Sequence, residues 1–321
     1  MGKGSDSVRR SPGGRRPLGD ERGQVLVLLA VSMVALLGFM ALVVDVGLLY
    51  GQRARAMNAS EAATAAGMQF LPGDPGGAVA TAVDYATRNG YQPEQVTAVV
   101  GPDNKRLEVT IKVDAPLFFA RVLGFKGVPI GARTAAQAGA VRSVNGAVPL
   151  GVEKQAFVYG ATYYLKNSPG YGGSYKGNFG ALALGGRGGS TYEENLAHGY
   201  DGELKVGDVI ETEPGNKSGP TNSGIAERMN ADPLGTYESH RADSPRILKV
   251  PVVEWGAKGG RSTATVVGFA AFWLEGVGGS GRECYVSGRF MRLVTSSEEA
   301  ELGTGDYTTY DYGLYTYDLV E

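Results

Sequence analysis

From Val25 to Val44 the chain runs through VLVLLAVSMVALLGFMALVV without a charge, and only Ser32 and Gly38 interrupt the aliphatic side chains. At a helical rise of 1.5 Å per residue, about twenty residues cross the roughly 30 Å hydrocarbon layer of a bilayer, so this run predicts a transmembrane helix. A cleaved secretory signal has a shorter apolar region, about 7 to 15 residues, closed by small residues at a cleavage site. Here the Ala63-Thr64-Ala65 triplet lies far downstream, beyond Arg53, Arg55 and Glu61. A retained anchor is expected.

Beyond the span, residues 45–69 are dominated by strong helix formers and hold no proline before Pro72. The pattern predicts one continuous helix from about Gln24 to Gln69, whose small residues, Ala54 to Ala66, permit close packing against a neighbour. A short helix over Ala78–Ala86 stops near Asn89-Gly90, and Val96–Val100 with Leu107–Val113 flank a GPDNKR turn, a hairpin signature. PLFFARVLGF reads as a short apolar helix and VPIGARTAAQAG as a strand. From Gly146 the texture changes to short Val-, Tyr- and Phe-rich runs separated by Gly, Asn and Pro. Strands are expected at 156–165, 208–213, 246–254, 263–274, 283–294 and 307–320, with Pro251 at an edge or bulge. One helix is expected at Ser190–Gly199, opened by a capping box between Ser190 and Glu193. The fold class is α+β: a long N-terminal transmembrane helix, a small α/β unit, then a mostly-β extracytoplasmic domain. The expected boundaries are 1–23 for a basic tail, 24–69 for the helix, 70–145 for the α/β unit and 146–321 for the β domain.

Charge adds orientation. Lys3, Arg9, Arg10, Arg15, Arg16 and Arg22 precede the span, whereas Arg53 and Arg55 follow it. Basic residues near a span are retained on the cytoplasmic side, so the N-terminus is expected inside the cell membrane and the C-terminal domain outside. A net charge of -2 gives no basic excess and excludes nucleic acid as an implied partner. Gly 50 and Pro 15 suit a strand-and-turn protein. One cysteine, Cys284, cannot form an intramolecular disulfide, and two histidines, His198 and His240, restrict zinc and histidine chemistry.

Candidate chemistry is sparse. GVGGSG at 276–281 has the spacing of a dinucleotide loop, but it joins two strand candidates where that loop needs a strand and a helix, so it reads as a hairpin turn. The glycine-dense stretch 170–189 lacks the Gly-Lys-Ser/Thr ending of a phosphate loop, and no G-x-S-x-G elbow occurs. Carboxylates cluster at Glu193/Glu194, Asp201/Glu203 and Asp208/Glu211/Glu213 without the spacing of a calcium loop. The acidic, tyrosine-rich end, from Glu298 to Glu321, reads as a solvated strand or tail, with calcium binding or strand addition to another subunit left open. No catalytic, cofactor-binding or metal residue is assigned, no cofactor is expected, and the chain is expected not to be an enzyme.

The order of features from Arg22-Gly23-Gln24, through the apolar span and Asp45-Val46-Gly47, to Arg53, Arg55 and the helix Asn58–Gly67 resembles the N-terminal segment of TadE/TadG-like proteins of the bacterial tight-adherence (Flp) pilus machinery. The resemblance extends more loosely to about residue 140. It implies a single-pass structural or assembly component, with the bilayer and other tight-adherence proteins or pilins as partners and oligomerisation through the N-terminal helix. Pilins of this broader class are trimmed after a Gly with a Glu five residues into the mature chain; after Gly23 the fifth residue is Leu28, so an uncleaved anchor is expected. The residues that carry membrane and assembly contacts under this reading are Gly23, Gln24, Gly38, Ala41, Asp45, Gly47, Asn58 and Glu61. Asp45 is open to two readings, a pairing site with another helix or terminus, or an interface carboxylate reaching water. Two other function classes stand beside this one: a membrane-anchored extracytoplasmic hydrolase, signalled by a pocket joining His198 or His240 to a serine and a carboxylate, and a surface module for cell-wall or carbohydrate ligands, signalled by an exposed aromatic groove.

Overall fold

The computed structural model describes residues 21–124, 127–166, 180–256, 262–279, 281–295, 300–302 and 311–320. The basic tail 1–20, the glycine-rich run 167–179 and positions 296–299 and 303–310 of the acidic end, with its expected strand start at Tyr307, lie outside the described residues. The elements in chain order are α1 (Glu21–Met68), α2 (Pro75–Arg88), β1 (Val96–Val100), β2 (Arg106–Pro116), β3 (Gly127–Val144), β4 (Val152–Glu153), β5 (Thr162–Leu165), α3 (Gly189–His198), β6 (Leu204–Lys205), β7 (Val209–Glu211), α4 (Ser218–Ala231), β8 (Ile247–Trp255), β9 (Thr263–Gly278), β10 (Tyr285–Met291), β11 (Leu293–Val294), β12 (Ala300–Leu302) and β13 (Leu314–Val320). The chain divides into two units, Met1–Arg53 with Asp114–Ile130, and Ala54–Val113 with Gly131–Glu321.

The first unit holds the apolar half of α1, whose side chains from Val25 to Val44 are nearly all exposed, together with the turn from the end of β2 to the start of β3. α1 is long and apolar enough to cross a membrane, and none of its most apolar stretch is buried in the protein. The PLFFARVLGF segment, expected as an apolar helix, forms only a single 3-10 turn, Ala120–Leu123. Phe118 and Phe119 are left exposed, and Gly124 at φ +94° ends the turn.

The second unit contains two sheets. The first has seven strands in the order β1-β2-β3-β13-β11, with β6 and β12 also on β3. β1 and β2 form the expected hairpin, from Val96 opposite Ile111 to Val100 opposite Leu107. On β2 the side chains of Leu107, Val109 and Ile111 turn inward at every second position, as a half-buried strand requires. Over that face lie Ala56, Ala59 and Ala63 of α1 and Ala78, Ala82 and Ala86 of α2, and beneath them also Ala136 and Tyr315. Pro75 opens α2, and the Asp74 carboxylate accepts a 2.8 Å hydrogen bond from the Gly77 N–H, which satisfies a first-turn donor. The C-terminal strand β13 returns to this sheet, antiparallel to β3 from Tyr315 opposite Ala140 to Val320 opposite Ala135.

The second sheet has six strands, in the order β4-β8-β9-β10-β5 with β7 on β9. Gly268–Leu274 in β9 is a continuous apolar run because both faces are covered. One face carries Phe272, Phe290 and Leu248 beneath Tyr192, Leu196 and Ile225 of α3 and α4; the other carries Phe269, Trp273 and Val253 among Leu182, Val141 and Leu314. Pro251 stands opposite Phe269 beside the register shift between Val252 and Val253. β9 and β10 pair antiparallel up to Gly278 opposite Tyr285, so the glycine run ends β9 and leads into a hairpin.

Three local expectations are corrected. α3 starts at Gly189 with Gly188 at its cap, so Ser190 lies inside the helix and makes no capping box; the Glu213 carboxylate instead accepts from the Gly188 N–H at 2.6 Å. Of the stretch 156–165 only Thr162–Leu165 is a strand. α4, whose sequence SGPTNSGIAERMNA looks like loop, was absent from the expected elements. Its proline, Pro220, occupies the first turn, where its missing N–H breaks no intrahelical bond.

Candidate functional site

The eight residues singled out from the sequence fall into two places. Gly23, Gln24, Gly38, Ala41, Asp45 and Gly47 are on α1 in the first unit, and Asn58 and Glu61 are on α1 in the second. Gln24 is exposed, and a Cβ added to Gly38 or Gly47 would meet nothing within 4 Å. These glycines present bare backbone along an uncovered helix. Ala41 is half-buried.

Asp45 is different: it is only 4% exposed, on a helix whose neighbouring side chains are mostly open. Its carboxylate accepts hydrogen bonds from three consecutive backbone N–H groups, Phe118 to Oδ1 at 2.8 Å, Phe119 to both oxygens at 3.1 and 3.2 Å, and Ala120 to Oδ2 at 2.7 Å. Those donors open the 3-10 turn and have no carbonyl of their own turn to bond, so an anion beside them is stabilised as at any helix start. The carboxylate is thus engaged within the chain and does not project into water. Sequence reading had no means of naming this partner, which lies 73 to 75 positions away. The available signal was a single carboxylate directly after an apolar span, which demands compensation from somewhere.

In the second unit α1 has two faces. Ala56, Ala59, Ser60 and Ala63 are buried against the first sheet, where the Ser60 and Thr134 hydroxyls meet at 2.6 Å. Gly67 lies so close to α2 and β2 that a Cβ there would stand 2.8 Å from the Ala78 carbonyl oxygen and 2.4 Å from Leu107 Cδ2. On the opposite face Asn58, Glu61, Ala62 and Ala65, spaced i, i+3, i+4, i+7, line an open groove of 630 Å³ whose other wall is Tyr317, Asp318 and Leu319 of β13. Among the described residues β11 pairs with Leu314 and Tyr315 of β13, at the other end of the strand from this wall. Ala62 and Ala65 leave the helix backbone accessible there, while Asn58 and Glu61 provide a donor and a carboxylate.

His198 and Ser244 share a cleft of 560 Å³ with Arg228, Asp243 and Lys249. No nucleophile is activated in it. His198 Nε2 is 3.3 Å from Glu227 and 3.8 Å from Glu194, whereas the Ser244 hydroxyl donates to the Asp232 carboxylate and so holds it below the ordinary aspartate range. Arg228, whose pKa burial lowers to about 10, donates to the carbonyls of Leu196 at 2.5 Å and Pro245 at 2.6 Å and ties the helices to the start of β8. His240 Nδ1 lies 2.9 Å from the Tyr237 carbonyl, with its ring 4.9 Å from that of Trp273. Cys284 is buried. Among the described residues no three His, Cys, Asp or Glu side chains come together as a metal site.

No curated protein and no solved structure matches the chain. Residues 23–69, which take in all of α1 but its first two residues, match the family described as putative Flp pilus-assembly TadE/G-like, so the N-terminal helix is similar to that family.

Proposed function

We propose that the chain is a single-pass, membrane-anchored structural component of a tight-adherence (Flp-type) pilus or a related secretion apparatus, with residues 1–23 in the cytoplasm and the folded part outside. The observation that carries this reading is that the matched segment and the candidate span are one helix, and that its far end keeps an open polar-and-small stripe, Asn58-Glu61-Ala62-Ala65, beside the edge of β13. Small residues let a partner backbone approach closely. That stripe would be the contact for a pilin or another assembly protein. Within the bilayer, Gly38, Ala41 and neighbouring small residues would form the face for helix packing and oligomerisation.

The test is co-purification from mild-detergent membranes through a C-terminal tag, with a photo-crosslinking residue at Glu61 and a control at Leu234. Crosslinks to pilus components from position 61 and not from 234 are expected. Recovery without an envelope partner, or equal crosslinking at both positions, would overturn the reading. Intact mass on the recovered chain settles processing: retention of residues 1–23 is expected, and a chain beginning at Gln24 would make the protein pilin-like.

A further inference from the structure

The turn that Asp45 holds has no structural use for its two aromatic residues. Phe118 is 73% exposed and Phe119 45%, their ring centroids 5.8 Å apart, and neither fills a core. Large apolar side chains exposed side by side ask for a covering surface. Asp45 fixes where they stand along the helix. Its carboxylate binds the N–H groups of Phe118, Phe119 and Ala120, and it follows Val44, the last residue of the apolar run. The turn is therefore clamped at the depth where the hydrocarbon ends. Tyr50, 77% exposed and about 7.5 Å further along α1 at 1.5 Å per residue, adds an amphipathic ring on the head-group side, and the exposed Arg121, one residue after Ala120, adds a cation. Aromatic rings gather at this layer of a membrane, and guanidinium groups reach lipid phosphates.

We infer that the Phe118-Phe119 turn is a second membrane contact, an interfacial wedge seated among lipid head groups and upper acyl chains and held to the span by the Asp45 carboxylate. The occupant is lipid because the pair continues the uncovered apolar surface of α1 across one hydrogen-bonded clamp. The inference rests on the membrane-anchor reading. Asp45 here is a positioning residue: one carboxylate, satisfied four times within the chain, replaces the water it would otherwise need at the membrane boundary.

The full chain, in a Cys284→Ala background, is reconstituted in phosphatidylcholine–phosphatidylglycerol vesicles with a nitroxide label at Phe118→Cys or Phe119→Cys. Reference labels are placed at Leu36→Cys in the span and at the exposed Leu234→Cys. The ratio of oxygen to water-soluble nickel-chelate accessibility is read by spin-label saturation. Ratios at 118 and 119 several-fold above that at 234, and below that at 36, are expected. Ratios at 118 and 119 equal to that at 234, with 36 in lipid, would overturn the wedge and leave the anchor standing; an aqueous ratio at 36 would overturn both. Asp45→Asn should lower the ratio at 119 toward the aqueous value while 36 stays unchanged, and an unchanged 119 would overturn the clamp.

Discussion

The second unit is held by two cores of opposite composition. Where α1 and α2 meet the first sheet, half of the buried residues are alanine, Ala56, Ala59, Ala63, Ala78, Ala82, Ala86, Ala132, Ala136 and Ala138, packed with Met68, Leu107, Val109 and Ile111. Around the second sheet it is aromatic, with Phe157 stacked on Phe290 at 3.9 Å, Phe272 and Tyr163 edge-on to Phe290 at 5.0 and 4.9 Å, and Trp273 on the other face. Alanine buries little area per residue but costs no rotamer entropy and brings backbones close, so its energy is spread over many small contacts. Aromatic residues concentrate burial in a few positions. The first core should therefore be injured by adding atoms and the second by removing them.

The largest effect expected is Trp273→Ala, at about 3–5 kcal/mol of destabilisation, because the indole is almost wholly buried and carries the Arg246 guanidinium 4.7 Å over its ring. Urea unfolding of the detergent-solubilised chain measures it. Next comes Gly67→Ala, where a single methyl meets the Ala78 carbonyl and Leu107; about 1–3 kcal/mol is expected. A neutral Gly67→Ala in the same titration would break the comparison, since it would mean the helices can part without loss. Ser60→Ala is smaller, about 0.5–1.5 kcal/mol, because it leaves the buried Thr134 hydroxyl only the weak Met57 sulfur acceptor at 3.9 Å; adding Thr134→Val should recover most of the loss. That recovery separates an unpaired polar group from a packing defect.

The smallest effect sits on the solvent face of the same sheet. Arg133 pairs with Glu108 across it and holds that carboxyl below its ordinary 4.5. A depressed carboxylate pKa stabilises the fold above the unfolded value, and the contribution disappears as pH falls through the folded value. Arg133→Ala is thus expected to lower the melting temperature slightly at pH 7 and not at all once acid has protonated Glu108, a difference that closes below pH 4.5. A pH-independent difference would assign the loss to the arginine stem instead of the charge.

What could be read from the chain was what is local. The apolar span fixed α1, the GPDNKR turn fixed the β1–β2 hairpin, and alternation fixed the inward residues of β2. α4 was hidden because Gly, Pro and Asn lower helix propensity, and only its packing against α3 and the second sheet, through Ile225 and Arg228, compensates. Long-range partners were illegible. Nothing near Asp45 points to Phe118, and nothing near Asn58 or Glu61 points to Tyr317–Leu319, because these meetings depend on how distant strands are ordered in a sheet. The two stripes of α1 could be sorted by helical period, but which one faces the sheet could not.

The place of β13 has a consequence for synthesis. It lies between β3 and β11, inside the first sheet, yet its residues are the last described in the chain. A ribosome delivers α1, α2 and β1 to β3 early, then all of the second sheet, before Leu314–Val320 can take up their register on β3. Until then the stretch from Ala135 to Ala140 stays without its β13 partner. The sheet that begins first is completed last, because its central strand β3 waits for Leu314–Val320 to arrive.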